Sequence, residues 1–254
     1  MKKILNICYN DKYADNCALD VYLPDCDEFS VFVYFHGGGL ERGDKSECKF
    51  YDALVQKGIA VVTANYRMYP NAKFPDFIED GAAAVNWAYE NMKTYGRVKG
   101  IFVGGSSAGG YMSQMLCLDK KYLKKYNIDS DRVDGYIHDA GQPTTHFNVL
   151  RERGIDTRRV LIDEAAPIFH ICDNRCYAPM QIIVSDNDMA NRYQQTELLV
   201  NTLNIFGAQN IDYRVMKNSN HCSYVNKQGE NGNLIFADMI YEFINNVTGR
   251  VSVK

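Results

Sequence analysis

Apolar residues follow two alternating rhythms along this chain. Short, nearly continuous runs rich in Val, Ile, Phe and Tyr occupy residues 3–9, 18–23, 30–36, 59–64, 99–104, 133–138, 180–185 and 211–216. Such runs predict strands covered on both faces, because a strand with one face in water alternates apolar and polar residues. Between them the apolar positions fall at helical spacing, predicting helices at about 46–57, 76–93, 107–126, 190–206 and 232–247. In the second of these, Phe77, Ile78, Ala82, Val85, Trp87 and Ala88 form one stripe, and Gly207 stands where a C-cap would close the fourth. Strands alternating with helices predict an α/β fold with a mostly parallel eight-stranded sheet and helices on both faces. No helix separates the first two strands, so an antiparallel edge is expected.

One stretch breaks the rhythm. Residues 141–178 mix charges, histidines and prolines (Pro143 and Pro167, with Pro179 just beyond) between two strands. A connection of this length in a compact domain usually serves function or motion. It is read as a small cap insertion in an otherwise single domain spanning 1–254, a size at which one domain is common.

Composition narrows the classes. With 46% apolar residues the chain can bury a sizeable core, and its net charge of −3 leaves no basic stripe for a phosphate backbone. The densest basic patch, Lys120-Lys121-Tyr122-Leu123-Lys124-Lys125, reads as the solvated end of a helix, so no nucleic-acid partner is expected. No window holds 18 apolar residues, so no membrane span is expected. Met1-Lys2-Lys3 begins like an export signal, but Asn6, Cys8, Asn10 and Asp11 interrupt it before an apolar region forms. The eight scattered cysteines therefore read as reduced thiols, and the expected location is cytoplasmic. Cys172 and Cys176 have no second pair to complete a zinc site.

Three segments carry the chemistry. After the strand Ile101-Phe102-Val103 comes Gly104-Gly105-Ser106-Ser107-Ala108-Gly109, a strand turning sharply into a helix with serine at the apex. Two frames compete, with Ser106 or Ser107 at the centre; only the second has glycine at both flanks, so Ser107 is the expected nucleophile. After Val31-Phe32-Val33-Tyr34-Phe35 comes His36-Gly37-Gly38-Gly39. A glycine run lets backbone N–H groups approach a developing oxyanion, and the N–H after the serine, at Ala108, adds another donor. His36 itself is expected to hold this loop in shape. An acid and a histidine should follow in that order on later strand ends. Ser185-Asp186-Asn187-Asp188 offers two acids, and Ser219-Asn220-His221-Cys222 offers the one histidine in the last such loop. Together Ser107, an aspartate and His221 would form a nucleophile, tautomer-fixing acid and general base.

With these pieces in place the chain resembles the α/β-hydrolase fold, and within it esterases related to hormone-sensitive lipase and to acetyl- and feruloyl-type carbohydrate esterases. The resemblance runs through His36-Gly37-Gly38-Gly39, Asn65-Tyr66-Arg67, Phe74-Pro75, the serine turn, Ala166-Pro167-Ile168, the aspartate loop and His221. It implies Asp188 rather than Asp186 as the acid, although Ser185 replaces a usual glycine, and the N–H groups of Gly38, Gly39 and Ala108 as oxyanion donors. It implies no cofactor and no metal. The short cap favours small or short-chain acyl esters, carbohydrate esters among them, and a small-molecule ester as the only expected partner; oligomeric state is open. Amide hydrolysis, by an aryl-formamidase or a small peptidase, is the alternative chemistry, and a non-catalytic binder on the same fold is a third class. Tyr66, Tyr69, Tyr111 and Phe147 are candidates to line a pocket, and His138 and Asp139 to meet substrate.

Overall fold

A computed structural model describes residues 1–251. Eight strands run in chain order as β1 Lys2–Cys8, β2 Ala18–Leu23, β3 Glu28–Phe35, β4 Ile59–Ala64, β5 Arg97–Ser106, β6 Gly135–Asp139, β7 Met180–Asn187 and β8 Ile211–Asn220. Their spatial order is β1-β2-β4-β3-β5-β6-β7-β8. β2 lies antiparallel to both β1 and β4, and every pairing from β4 through β8 is parallel. The antiparallel edge and the parallel centre are those the apolar runs predict.

The continuous apolar runs are explained by two cores, one on each face of the sheet. Val31, Val33 and Phe35 of β3 pack into one, with Phe32 and Tyr34 into the other. On the first face lie α2 (Asp76–Asn91), α3 (Ala108–Leu118) and α6 (Arg192–Ile205); on the second lie α1 (Phe50–Gln56) and α7 (Ile235–Val251). No helix among the described residues is long and apolar enough to cross a membrane.

Two predicted helices differ from those observed. The segment 107–126 does not form one helix: Asp119 is extended (φ −92°, ψ 96°) and separates α3 from the one-turn α4 (Lys121–Lys124). Its carboxylate accepts the N–H of Lys121 at 3.3 Å, a local bond that competes with the helical ladder. The first helix starts at Phe50 rather than 46 because Asp44 takes the N–H and hydroxyl of Ser46 at 2.9 and 2.7 Å, fixing a turn there.

Residues 141–178 leave the carboxyl end of β6. They contain α5 (Phe147–Glu152) and a short 3-10 turn at Pro167–His170. The first part is buried, and Asn148 on α5 donates its amide to the carbonyl of Gly39 at 2.8 Å. The middle part is largely exposed, including Val160, Leu161 and Ile162, and Ala165, Ala166 and Ile168 beyond it return to the core.

Candidate active site

Strand register builds this site. Ser106 ends β5 as the register partner of Asp139, which ends β6, and Ser107 follows as the first residue off the sheet. Farther along the same edge Asn187 and Asn220 are register partners at the ends of β7 and β8, with their side-chain amides 2.7 Å apart. A register shift between Ser185 and Asn187 gives β8 two extra residues here, and it sets Asp188 and His221, the next residue after each strand, side by side.

Ser107 occupies the apex of a tight turn with φ 57° and ψ −113°, a strained conformation for a residue with a side chain. Two bonds hold it. Its N–H donates to the Asp139 carbonyl at 2.8 Å, and its own carbonyl accepts the N–H of Tyr111 at 2.9 Å. The turn closes against β3 so tightly that a Cβ on Gly109 would lie 2.0 Å from the carbonyl oxygen of Phe35. Glycine is therefore a steric requirement there.

The Ser107 hydroxyl lies 2.8 Å from His221 Nε2, and His221 Nδ1 lies 2.6 Å from Asp188 Oδ1. The Asp188 side chain is wholly buried, and its Oδ1 also accepts the N–H of Met189 at 2.7 Å. Burial alone would raise this carboxyl. The hydrogen bond and charge of His221, with the Met189 N–H and the charge of Arg192, outweigh it and hold the pKa below the ordinary value. Asp186 is exposed on the last turn of β7 and takes the N–H groups of Asn218 and Ser219 at 2.9 and 3.2 Å. Of the two acids and two serines weighed in the sequence, the structure brings Asp188 and Ser107 to His221.

Beside the serine lies a cavity of about 590 Å³. The Gly37–Gly39 loop, Ser106, Ser107 and His221 border it, Phe147, Met189 and Val225 give it apolar wall, and Glu41, Arg42 and Glu47 bring charge to it. Gly38 has φ 109°, and a Cβ there would fall 1.9 Å from the Arg42 carbonyl. Among the described residues no acceptor takes the N–H of Gly38, Gly39 or Ala108. His36 is not in the cavity wall: it is buried, stacked on Tyr66 at 4.5 Å, with Nδ1 2.7 Å from the Gly37 carbonyl, and burial lowers its pKa. It shapes the loop from behind.

The other candidates separate cleanly. Only Phe147 of the four aromatic residues lines the cavity; Tyr66 bonds the His36 carbonyl, Tyr111 bonds the Ala165 carbonyl, and Tyr69 borders a different groove. His138 is fully buried, bonded to Ser113 at 2.9 Å, and burial pulls its pKa down to about 3, so it is a neutral core residue. Asp139 is buried behind Ser107 and accepts the hydroxyl of Tyr224. Cys172 and Cys176 are free and exposed. Sequence reasoning did not single out Asn148, Tyr224 or Arg192. A signal existed for Arg192: a cation on the first residue of a helix opposes the helix dipole and so marks an unusual environment.

This strand order, with a serine turn after β5, an acid after β7 and a histidine after β8, defines the α/β-hydrolase fold. The BD-FAE family model matches residues 19–149, and the chain belongs to that family. Among curated proteins it is similar to Esterase LipI of Mycobacterium tuberculosis (strain ATCC 25618 / H37Rv), 37% identical over 98 residues, which are 37% of this chain and 30% of LipI. The curated relatives are matched over 24–48% of their own length. Among solved structures, a truncated carbohydrate esterase from gut microbiota superposes with a TM-score of 0.77 at 17% identity, covering 98% of this chain and 97% of the other. The propionate-bound esterase Est2 of Thermogutta terrifontis gives 0.76 at 19%, covering 98% and 94%.

Proposed function

We propose that this protein is a serine hydrolase of short-chain carboxylic esters, including acetyl-type esters on carbohydrates, working through an acyl-enzyme. One observation carries the reading: the continuous hydrogen-bonded line from Ser107 Oγ through His221 to the buried Asp188 carboxylate, opening on a cavity bordered by backbone N–H groups without acceptors. Neutral His221 takes the Ser107 proton as Oγ attacks the ester carbonyl, and Asp188 stabilises the imidazolium that forms. The N–H groups of Gly38, Gly39 and Ala108 receive the oxyanion. His221 then returns the proton to the leaving alcohol, and water repeats the sequence on the acyl-enzyme.

The esterase named among the relatives, the carbohydrate esterase among the fold neighbours and the propionate held by Est2 support the same chemistry and a small acyl group. The test is initial rates on p-nitrophenyl acetate, butyrate and octanoate with Ser107→Ala and Ser106→Ala beside the parent. A loss of about 10³-fold or more in Ser107→Ala alone, with acetate preferred, is expected. Full activity in Ser107→Ala overturns the assignment, and a preference for octanoate overturns the short-chain specificity.

A further inference from the structure

Among the described residues Arg192 is a buried cation without an ion-pair partner. Its residue is 3% exposed, and among the described residues its guanidinium makes no salt bridge. It donates instead to two neutral acceptors, the carbonyl of Ala140 and, at 3.3 Å, the Oε1 of Gln142. Burying a guanidinium on neutral acceptors costs free energy unless an anion lies close enough to offset it. Its position as the first residue of α6 adds to that cost, because the helix N-terminus is itself positive.

The offsetting anion is Asp188. It stands four residues earlier, across a turn closed by the Arg192 N–H on the Met189 carbonyl at 2.9 Å. The two groups act on each other: burial lowers the Arg192 pKa while Asp188 raises it, and Arg192 helps to lower that of Asp188. A guanidinium in direct contact would compete with His221 for the carboxylate oxygens. Held away by Ala140 and Gln142, it contributes its field and leaves Asp188 Oδ1 to His221 and Met189. The same guanidinium reaches the serine turn. Ala140 (φ 50°) directly follows Asp139, whose carbonyl holds the Ser107 N–H, and Gln142 Oε1 also takes the N–H of Phe147 in the cavity wall.

We propose that Arg192 is a positioning residue: a buried cation that braces the backbone beside the Ser107 turn through Ala140 and Gln142 and sets its positive field behind the Asp188–His221 pair. The inference rests on the serine-hydrolase reading above. Arg192→Gln keeps a donor and removes the charge, and Arg192→Lys keeps the charge. Gln142→Glu leaves Arg192 in place and pairs it with a carboxylate but gives up the amide's bond to the Thr145 carbonyl. Gln142→Met, which loses that bond without adding a charge, is its control. Turnover of p-nitrophenyl acetate is referred to sites titrated with diethyl p-nitrophenyl phosphate, and the downfield proton resonance of His221 Nδ1–H is recorded for each variant.

Expected is a fall in kcat of about tenfold in Arg192→Gln and Gln142→Glu with KM within about twofold, a moved or broadened resonance, and Arg192→Lys within about threefold of the parent. Parent-like kcat and resonance in Arg192→Gln overturn the proposal. So does an equal loss in the glutamine and lysine variants, which would assign Arg192 to packing alone. Should Arg192→Gln not fold, Gln142→Glu, read against Gln142→Met, decides by the same criterion. A parent no more active than Ser107→Ala removes the hydrolase reading and this inference with it; a dead Ser107→Ala beside an unaffected Arg192→Gln removes only the inference.

Discussion

The hydroxyl of Tyr224 donates to the buried carboxylate of Asp139, joining the turn that carries His221 to the end of β6, the strand paired beside the one that carries Ser107. Tyr224 lies three residues beyond His221, and Asp139 holds the Ser107 N–H through its own carbonyl. One residue thus touches the supports of both groups that exchange a proton in the proposed mechanism, although neither its charge nor its hydroxyl partner lies on the line from serine to aspartate.

That burial has a pH signature. Burial, with the charge of Asp188 added, pushes the Asp139 carboxyl up to about 6, against the opposing hydrogen bond from Tyr224 and the charge of His221. An acid raised in the folded state binds more protons folded than unfolded between about pH 4 and 6, so it weakens the fold as pH rises through that window. Asp139→Asn keeps an acceptor for Tyr224 and removes the titration. Its stability relative to the parent should grow from pH 4 to 7, reaching the order of 2–3 kcal/mol above pH 7. Urea unfolding of both proteins at pH 4.5 and pH 8 reads this directly, and a stability difference independent of pH would refute it.

The two acids of the β7 loop should separate by activity. Asp188→Asn removes the charge that stabilises the imidazolium and should lower kcat/KM by about 10³-fold or more under the proposed mechanism. Asp186 is exposed, and its lowered pKa comes from the backbone N–H groups of Asn218 and Ser219. Asp186→Asn should therefore change kcat/KM by less than about tenfold. Parallel steady-state measurements on one ester suffice, and a reversed order would move the acid to Asp186.

The sequence carried the sheet and the serine turn because both are written in local signals: continuous apolar runs for doubly covered strands, and glycines where backbones meet. It left Asp186 and Asp188 open from the residues alone, because the choice depends on where β7 stops. That strand runs to Asn187, which leaves Asp186 at the register shift just before its end and Asp188 as the first residue free to turn toward His221. The break at Asp119 was hidden by the helix-forming lysines after it. Arg192, Asn148 and Tyr224 were out of reach for another reason: each acts through a partner 52, 109 or 85 residues away, at Ala140, Gly39 and Asp139. Periodicity reports which side of an element faces the core, not which buried polar groups meet there.

Sterics at the serine turn give a stability test that needs no substrate. A methyl on Gly109 would lie 2.0 Å from the Phe35 oxygen and 2.8 Å from that of His36, both backbone atoms that cannot step aside without moving β3. Gly154 has a positive φ of 70°, unlike Gly109 in its helix, but a Cβ there meets nothing within 4 Å. Gly154→Ala should cost about 1 kcal/mol from backbone strain, and Gly109→Ala more than about 3 kcal/mol or all soluble protein. Equal unfolding midpoints for the two variants would mean that the turn is looser than its geometry implies.

The glycine loop also depends on a residue from the segment between β6 and β7. Asn148 is fully buried and donates its amide to the Gly39 carbonyl at 2.8 Å, while the neighbouring Phe147 ring packs where a Gly39 side chain would begin. The peptide carrying that carbonyl continues the loop whose Gly38 and Gly39 N–H groups are assigned to the oxyanion, so releasing it should tilt those donors. One misplaced donor costs part of the roughly 10²–10³-fold that a whole donor supplies. Asn148→Ala should therefore lower kcat by about tenfold with KM changed much less. Asn148→Asp is nearly isosteric but sets a carboxylate against the Gly39 oxygen, and it should lose more activity than the alanine variant. Steady-state kinetics of both variants on p-nitrophenyl acetate decide the point: a kcat unchanged in both would show that the loop holds its shape without Asn148.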